Sequence, residues 1–384
     1  MNHGNWPKVP LGELIARRKE AIDIEDDKQY KRVTIRLKGG GVSVRDEPFG
    51  AEIGTKRQFL IRVGQFLLSK IDAMNGAFGV VDNTCDGAII TGNFWAFDVS
   101  EERLDARYFY FVTHTHEFLD FCVRSSSGTT NRRYLREPLL LAQQISLPPL
   151  HEQKQIVKRI DDLVSKVDSV RGMLEQVDDE AAALLQSRFS EVIKGVTRHR
   201  MSDVAPIVRR KIVPRAGEEY PELGVRSFGK GTFHKPPLDF LSVGTKKLFS
   251  IEPGDLVFNN VFAWEGAIAV AREEDAGRCG SHRFITCVPI ENVVSAEFLC
   301  YFFLTPEGLD LIGQASPGGA GRNRTLGLEK LAAIEVPVPD YKDQVRFEAL
   351  MQLVREVELE NSSSFSELDA MFPAVLNQAL NGEI

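Results

Sequence analysis

Arginine, asparagine, lysine and histidine side chains in glycine-punctuated loops are the groups of this sequence best suited to chemistry. Arg and Asn can read guanine and adenine edges through paired hydrogen bonds, whereas Lys and backbone amides suit phosphate contact. The loops SSSGTTNRR (125–133) and SPGGAGRNRT (316–325) each contain an Asn-Arg step. One such loop alone is most simply a solvated surface loop, but its recurrence after the same amount of chain favours nucleic-acid contact.

The candidate DNA-binding residues are the basic and polar residues of these loops and of other paired positions. They are Arg17, Arg18, Lys19, Lys56, Arg57, Lys70, Asn131, Arg132, Arg133, Arg209, Arg210, Lys211, His234, Lys235, Lys246, Lys247, His282, Arg283, Arg322, Asn323 and Arg324.

Motifs for catalysis or metal binding do not occur in the sequence. Residues 224–231 (GVRSFGKG) have the skeleton of a nucleotide-binding loop, but Gly231 replaces the hydroxyl residue that would hold magnesium. There is no G-x-S-x-G, no H-E-x-x-H and no Asn/Asp-Pro-Pro-aromatic tetrapeptide. The five cysteines form no C-x-x-C pair, which predicts reduced, buried thiols. We therefore expect a binding protein and not an enzyme, with no metal or cofactor of its own.

The net charge of −7 is unevenly distributed along the chain. Residues 1–150 and 196–339 together carry 37 basic and 36 acidic groups, whereas 151–195 and 340–384 carry 10 basic and 18 acidic groups. Because the acidity is confined to two short segments, it does not exclude a basic DNA-binding face elsewhere. The polar N-terminal sequence and the lack of a long apolar run favour a cytoplasmic protein with no membrane contact.

An internal repeat with an offset of 190 residues organises the chain. Residues 54–80 align without a gap with residues 244–270, and 10 of the 27 positions are identical. Unrelated sequences of average composition would share on the order of two. Short β-rich runs with turn residues between them fill each copy. The segments LDARYFYFVTHTHEFLDF and SAEFLCYFFLTPEGLDLI predict buried helices.

Each copy ends in a proline-marked exit and a segment of about 45 residues with heptad spacing, which predicts two long helices. Each helix would span about 60 Å at about 1.5 Å per residue, and Pro373 would kink or end the second. A single amphipathic surface helix is the simpler interpretation of either segment, but two in equivalent places favour an antiparallel pair. The apolar residues predicted to pair the helices are Ile156, Ile160, Leu163, Val167, Val170, Leu174, Phe347, Leu350, Val354, Val357, Leu368 and Met371.

The predicted fold is α+β. It comprises two repeated mixed α/β target-recognition domains, separated by two long antiparallel coiled-coil helices in a pseudo-two-fold arrangement. The predicted boundaries are 1–149 for the first domain, 150–196 for the first helix, 197–339 for the second domain and 340–384 for the second helix.

This order of elements resembles the specificity subunit of type I restriction–modification systems. The resemblance rests on LGEL (11–14), GTTNRR, LPPLHEQKQIV (147–157), VFAWEGAIAV, SHRF, SPGGAGRNRTL and LNQALNGEI, and it covers essentially the whole chain. The second exit, VPVPDYKDQVRF, departs from the pattern because Asp343 replaces the Glu of the Glu-Gln step.

The resemblance implies a non-catalytic subunit whose two domains each read one half of a split site in double-stranded DNA. The helices would fix the spacer, with successive major-groove faces about 34 Å apart. They would also bind two methyltransferase subunits, which carry S-adenosylmethionine, and through these the restriction subunits, which use ATP and magnesium.

Two other functions fit the sequence less well. The chain could be the recognition subunit of a system in which one partner polypeptide both cuts and methylates. A coiled-coil scaffold without a DNA role is an alternative of a different class, consistent with the heptads and the acidity.

Overall fold

The computed structural model describes residues 6–129, 132–318 and 324–380. Within these, the chain folds as two compact units. Unit 1 comprises Met1–Leu174 and Ser362–Ile384, and unit 2 comprises Glu175–Asn361. No helix in the described residues is long and apolar enough to cross a membrane.

The first copy of the repeat contains thirteen strands and four helices in the described residues. The strands are β1 (Lys8–Pro10), β2 (Ile15–Arg18), β3 (Glu20–Asp23), β4 (Arg32–Ile35), β5 (Val42–Asp46), β6 (Arg57–Leu60), β7 (Phe66–Ser69), β8 (Phe78–Val80), β9 (Ile89–Ile90), β10 (Phe94–Val99), β11 (Ser126–Thr129), β12 (Arg132–Leu135) and β13 (Gln144–Ser146). The helices are α1 (Ala106–Thr113), α2 (His116–Arg124), α3 (Glu137–Ala142) and α4 (Leu150–Val192).

The second copy repeats most of this order. Its strands are β14 (Arg198–Arg200), β15 (Arg210–Ile212), β16 (Glu219–Val225), β17 (Thr232–Asp239), β18 (Leu248–Ser250), β19 (Leu256–Asn259), β20 (Ile268–Val270), β21 (Cys279–Ser281), β22 (Phe284–Cys287) and β23 (Glu335–Pro337). Its helices are α5 (Met201–Val204), α6 (Phe240–Val243), α7 (Ala296–Leu304), α8 (Pro306–Ala315), α9 (Leu328–Ala333) and α10 (Tyr341–Leu380).

A five-stranded sheet has the same strand order in both copies. It runs β3-β6-β9-β4-β5 in the first copy and β15-β18-β21-β16-β17 in the second. The register is also the same, since Arg32 pairs with Ile89 and Glu222 pairs with Cys279 in the one parallel contact of each sheet. Both pairs keep the offset of 190 residues, so the duplication inferred from the sequence extends to the hydrogen-bond register.

A second sheet in each copy packs under short helices and forms the core. The sheet is β2-β10-β7-β8 in the first copy and β20-β19-β22 in the second. Phe66, Phe97 and Phe109 are fully buried in unit 1, as are Phe258 and Phe302 in unit 2. All five cysteines are free and buried, as the sequence predicts.

The two aromatic segments form buried helices, as predicted, and each segment is divided into two helices. The break falls at Thr115 in the first copy and at Thr305 in the second. Each Thr caps the second helix, since its side chain accepts a hydrogen bond from the backbone N–H of Phe118 or of Gly308. Capping satisfies a helix N-terminus, and it outweighs the continuous apolar pattern here.

The two predicted long helices are confirmed as α4 and α10. In unit 1 the start of α4 lies beside the end of α10, and Ile156 and Ile160 share a core with Leu376 and Leu380. In unit 2 the end of α4 lies beside the start of α10, where the Phe189 and Phe347 rings are 5.3 Å apart. Within each unit the two helices therefore run antiparallel.

The sequence predicts that Pro373 kinks or ends α10, and the helix does not end there but continues to Leu380. The core of unit 1 buries three residues that follow the proline, namely Leu376, Ala379 and Leu380. Burying a leucine side chain contributes about 1.5–3 kcal/mol, so this burial offsets the roughly 3 kcal/mol that an internal proline costs.

A buried glutamine connects the start of each long helix to the globular part of the same unit. Gln344 is fully buried, and its Oε1 accepts a hydrogen bond from Ser295 N at 2.9 Å. Its Nε2 donates to Val293 O at 3.0 Å and to Pro339 O at 2.8 Å. Gln153 makes the same three bonds in unit 1, to Asp105 N (2.8 Å), Arg103 O (2.9 Å) and Pro148 O (2.8 Å).

Candidate nucleic-acid interface

A groove of about 500 Å³ in unit 2 brings four predicted DNA-binding residues together. Lys235, Lys246, His282 and Arg283 all line it, and Glu222 is the only acidic residue among the described residues of its lining. The groove lies where the five-stranded sheet meets the second sheet, because Ser281 ends β21 and Phe284 begins β22. This concentration of positive charge suits a polyanion.

Aromatic rings position the cation at the edge of this groove. The Lys235 Nζ lies 5.9 Å from the centre of the Phe233 ring and 5.7 Å from that of Phe284. Cation–π contacts of this length hold the ammonium beside the two rings, while its N–H donors can still bind an anion. Lys246 follows α6, and its backbone N donates to Val243 O at 3.0 Å.

Arg324, at the described end of the basic loop of the second copy, lies next to the groove. The Arg324 guanidinium stacks 5.2 Å from the centre of the Trp264 ring, and Trp264 Nε1 donates to Val261 O at 3.0 Å. Val261 in turn lines the groove. Arg322 and Asn323 lie outside the described residues.

The corresponding groove of unit 1, of about 200 Å³, contains two arginines that the sequence analysis missed. Arg32 and Arg45 line it together with Thr91. Arg32 donates to both Asp46 carboxylate oxygens at 2.7 Å, and this hydrogen bonding lowers the pKa of Asp46. The repeat offset could have found Arg45, because it places this residue opposite Lys235.

Other predicted residues of unit 1 support the loop that follows α2. Arg133 Nη2 donates to Val123 O and Ser126 O, both at 3.0 Å, and so holds the β11–β12 hairpin against the end of α2. The Lys70 Nζ lies 5.5 Å from the centre of the Tyr134 ring. Asn131 lies outside the described residues, as does the side chain of Arg132.

Three predicted arginines are held within their own unit. Arg17 pairs with Glu137 and stacks on Trp95, which leaves only 17% of its side chain exposed. Arg210 donates to Asp255 at 2.6 and 3.1 Å, and that carboxylate is buried. Arg209 donates to Phe284 O at 2.9 Å, and burial lowers its pKa. Their guanidinium groups are therefore committed to the fold.

His234 faces away from the basic groove. Its Nε2 lies 2.9 Å from Oδ1 of Asp275, a fully buried carboxylate that also accepts a hydrogen bond from Thr232. Successive strand residues alternate between the two faces of a sheet, so Lys235 is directed into the groove and His234 is not.

The remaining predicted basic residues are exposed outside the two grooves. Lys56 donates to Asp26 at 2.5 Å and to Gly50 O at 2.8 Å. The others in this group are Arg18, Lys19, Arg57, Lys211 and Lys247.

The predicted partner-binding residues divide by burial. Four of them, Ile156, Ile160, Phe347 and Val354, are buried within their own units, so their side chains hold the helices to the globular parts of those units. Leu163, Val167, Leu174, Leu350 and Leu368 are half-buried. Val170 (42%), Val357 (36%) and Met371 (46%) retain exposed apolar surface.

The family model and the two curated relatives that match this chain all describe the specificity domain or subunit of type I restriction systems. Residues 4–179 match the model of the type I restriction modification DNA specificity domain. The chain is 25% identical over 125 residues to the EcoBI specificity subunit of Escherichia coli, covering 33% of this chain and 26% of that protein. It is 22% identical over 197 residues to the MjaVIII specificity subunit of Methanocaldococcus jannaschii, covering 46% of each protein. These matches thus span less than half of either relative.

Two solved structures share the fold over nearly the whole chain. An HsdS subunit from Thermoanaerobacter tengcongensis has a TM-score of 0.60 at 19% identity, covering 99% of this chain and 97% of that one. A chain from a structural study of complex assembly and conformational transition in a type I R-M system has a TM-score of 0.73 at 18% identity, covering 99% and 98%. The predicted resemblance and the predicted mixed helix and sheet fold are confirmed.

Proposed function

We propose, from the match of residues 4–179 to the type I restriction modification DNA specificity domain, that this chain is the DNA sequence-specificity subunit of a type I restriction–modification complex. The observation that carries the proposal is a groove with basic side chains at the same junction of two sheets in both copies of the repeat. Two units that each contact DNA through such a groove suit a bipartite DNA site, with one half site for each unit.

In this proposal the chain itself performs no chemistry. Two methyltransferase subunits bind it and carry S-adenosylmethionine, and restriction subunits that use ATP and magnesium join through them. The exposed apolar residues Val170, Val357 and Met371 are the candidate contacts for the methyltransferase subunits, because Ile156 and Phe347 are already buried. A methylated adenine must leave the base stack, so its pocket belongs to the methyltransferase.

A domain exchange tests the proposal. The replaced segment is residues 11–143. The exchange therefore leaves β1 and β13, and the pairing between them, unchanged. In the chimaera, the equivalent segment of a related recognition domain replaces residues 11–143. The wild-type chain and the chimaera are each expressed with the methyltransferase subunits, and the host methylome is sequenced. We expect a bipartite methylated motif in both cases, with one half changed in the chimaera. Changes in both halves, or no bipartite motif, would contradict the proposal.

A binding experiment separates DNA recognition from a scaffold role. The wild-type complex is titrated with a duplex containing the methylated motif at several salt concentrations. Each phosphate contact contributes about −0.9 to the slope of log K against log salt for duplex DNA, so Lys246→Ala should reduce the slope by about one. The control is Lys166→Ala, at an exposed position on α4, which should leave the slope unchanged. Absence of salt-sensitive binding by the wild-type complex would favour the scaffold.

A further inference from the structure

A two-residue turn connects the two sheets in unit 2 and carries Arg283 at its end. The backbone N of Arg283 donates to Ser281 Oγ at 3.4 Å, and its carbonyl accepts from Asn260 N at 2.7 Å. The carbonyl of Asn260 accepts from Leu326 N at 2.8 Å. The main chain of the turn is therefore fixed on one side to the strand and on the other to the end of the basic loop.

The turn of unit 1 is held by the same set of bonds. Asn93 occupies the position of Arg283, and its backbone N donates to Thr91 Oγ1 at 3.4 Å. Its carbonyl accepts from Lys70 N at 3.0 Å, and the carbonyl of Lys70 accepts from Leu135 N at 2.8 Å. Each contact has its counterpart in unit 2, so the two turns present their second residue in the same way.

The side chains at this position are exposed and have no partner in the described part of the chain. Asn93 and Arg283 are both exposed. Neither side chain makes a hydrogen bond or an ion pair with another described residue, unlike Arg17 and Arg210. Because the main chain of the turn is already fixed, binding here requires no ordering of the backbone, and the unpaired polar side chain is available to a ligand.

We propose that this turn position determines specificity, with Arg283 reading a guanine in one half site and Asn93 reading an adenine in the other. The inference rests on the proposed function of the two units as DNA readers. Arg pairs with O6 and N7 of guanine, and Asn pairs with N6 and N7 of adenine, each through two hydrogen bonds in the major groove.

The residue types favour a base contact over a phosphate contact at this position. The Asn93 amide can donate a hydrogen bond to a phosphate but cannot neutralise its charge, so Asn93 and Arg283 would make unequal phosphate contacts. A base-edge site is served by both. Phosphate contacts in the unit 2 groove fall instead to Lys235 and Lys246, which line it beside Arg283.

Reciprocal substitutions test the assignment. Arg283→Asn and Asn93→Arg are expressed with the methyltransferase subunits and compared with wild type by methylome sequencing. We expect Arg283→Asn to lose the preference for one G·C pair in one half site, and Asn93→Arg to lose the preference for one A·T pair in the other. Loss of a bidentate contact reduces discrimination by about 5- to 150-fold. The controls are Glu101→Gln and Glu291→Gln, which should keep the wild-type motif. Both residues are exposed, and they follow the C-terminal ends of β10 and β22, whereas the turn precedes these strands.

A second measurement covers a variant that no longer supports methylation. Affinities are measured for duplexes in which each base pair of the wild-type motif is changed in turn, after thermal unfolding has shown that the variant is folded. Flattened discrimination at one position supports the assignment. A uniform loss across all positions, or an unchanged motif in both variants, overturns it while leaving the proposed function in place. Absence of a bipartite motif for the wild-type chain would instead refute the proposed function.

Discussion

The buried glutamine at the start of α10 gives a sharp test of how this fold is held together. In Gln344→Met the side chain keeps its length and approximate volume but loses both polar atoms. Ser295 N, Val293 O and Pro339 O then lose the hydrogen bonds that they make at 2.8–3.0 Å. The methionine cannot replace them, and Gln344 is fully buried.

The expected cost follows from the number of backbone groups left without a partner. A buried polar group without a hydrogen bond costs about 1–3 kcal/mol, so three such groups at the lower limit cost about 3 kcal/mol. For a unit of this size, 1 kcal/mol shifts Tm by about 2–4 °C, which predicts a fall of about 6–12 °C for the transition of unit 2.

Differential scanning calorimetry of the purified full chain measures this shift. The matched control is Gln176→Met on α4, where the amide is exposed and donates only to Glu180 at 2.7 Å. Such a surface change should stay within about 0.5 kcal/mol. Gln153→Met should lower the transition of unit 1 by a similar amount, because it removes the same three bonds. If Gln344→Met and Gln176→Met shift Tm equally, the glutamine does not hold the helix and the reasoning fails.

Two further predictions concern charged groups in unit 2. Arg210→Met should destabilise the unit by about 3 kcal/mol in urea unfolding, because it leaves the buried Asp255 carboxylate without its cation. The salt slope of DNA binding should be unchanged. A reduced slope would show that Arg210 contacts DNA. Burial raises the pKa of Glu348, so its charged form weakens the folded state as pH rises above about 4.5, and Glu348→Gln should gain stability relative to wild type from acid to neutral pH. A stability difference that does not change between pH 4 and pH 7 would contradict this account.

The sequence predicts the architecture well because the repeat and the heptads are signals that act over many residues. The identities between 54–80 and 244–270 are enough to infer the offset, and the sheets keep that offset in register. The Glu-Gln step at the first exit also reports a real contact, since Gln153 and Gln344 make equivalent bonds. Caps are more local signals, and for this reason the helix starts at Thr115 and Thr305 are not located by the apolar pattern of the two segments.

The site is less predictable because its residues come together only through the sheet register. His282, Arg283 and Lys246 are recognisable as candidates, but nothing in their spacing shows that they line one groove. The sequence also gives no sign that Arg17 and Arg210 are paired with carboxylates more than forty residues away. Asn93 is an ordinary turn residue in the sequence, and only the shared backbone bonds of the turn relate it to Arg283.

The last described part of α10 has a consequence for the order in which the protein is made. Leu376, Ala379 and Leu380 complete the core of unit 1, although most of that unit is synthesised first. When a nascent chain has emerged as far as Asn361, all of unit 2 is available, but unit 1 still lacks this piece. Unit 2 can therefore fold during translation. In unit 1, the apolar surface that packs against Leu376, Ala379 and Leu380 stays exposed until the end of α10 is made, a condition that favours chaperone binding.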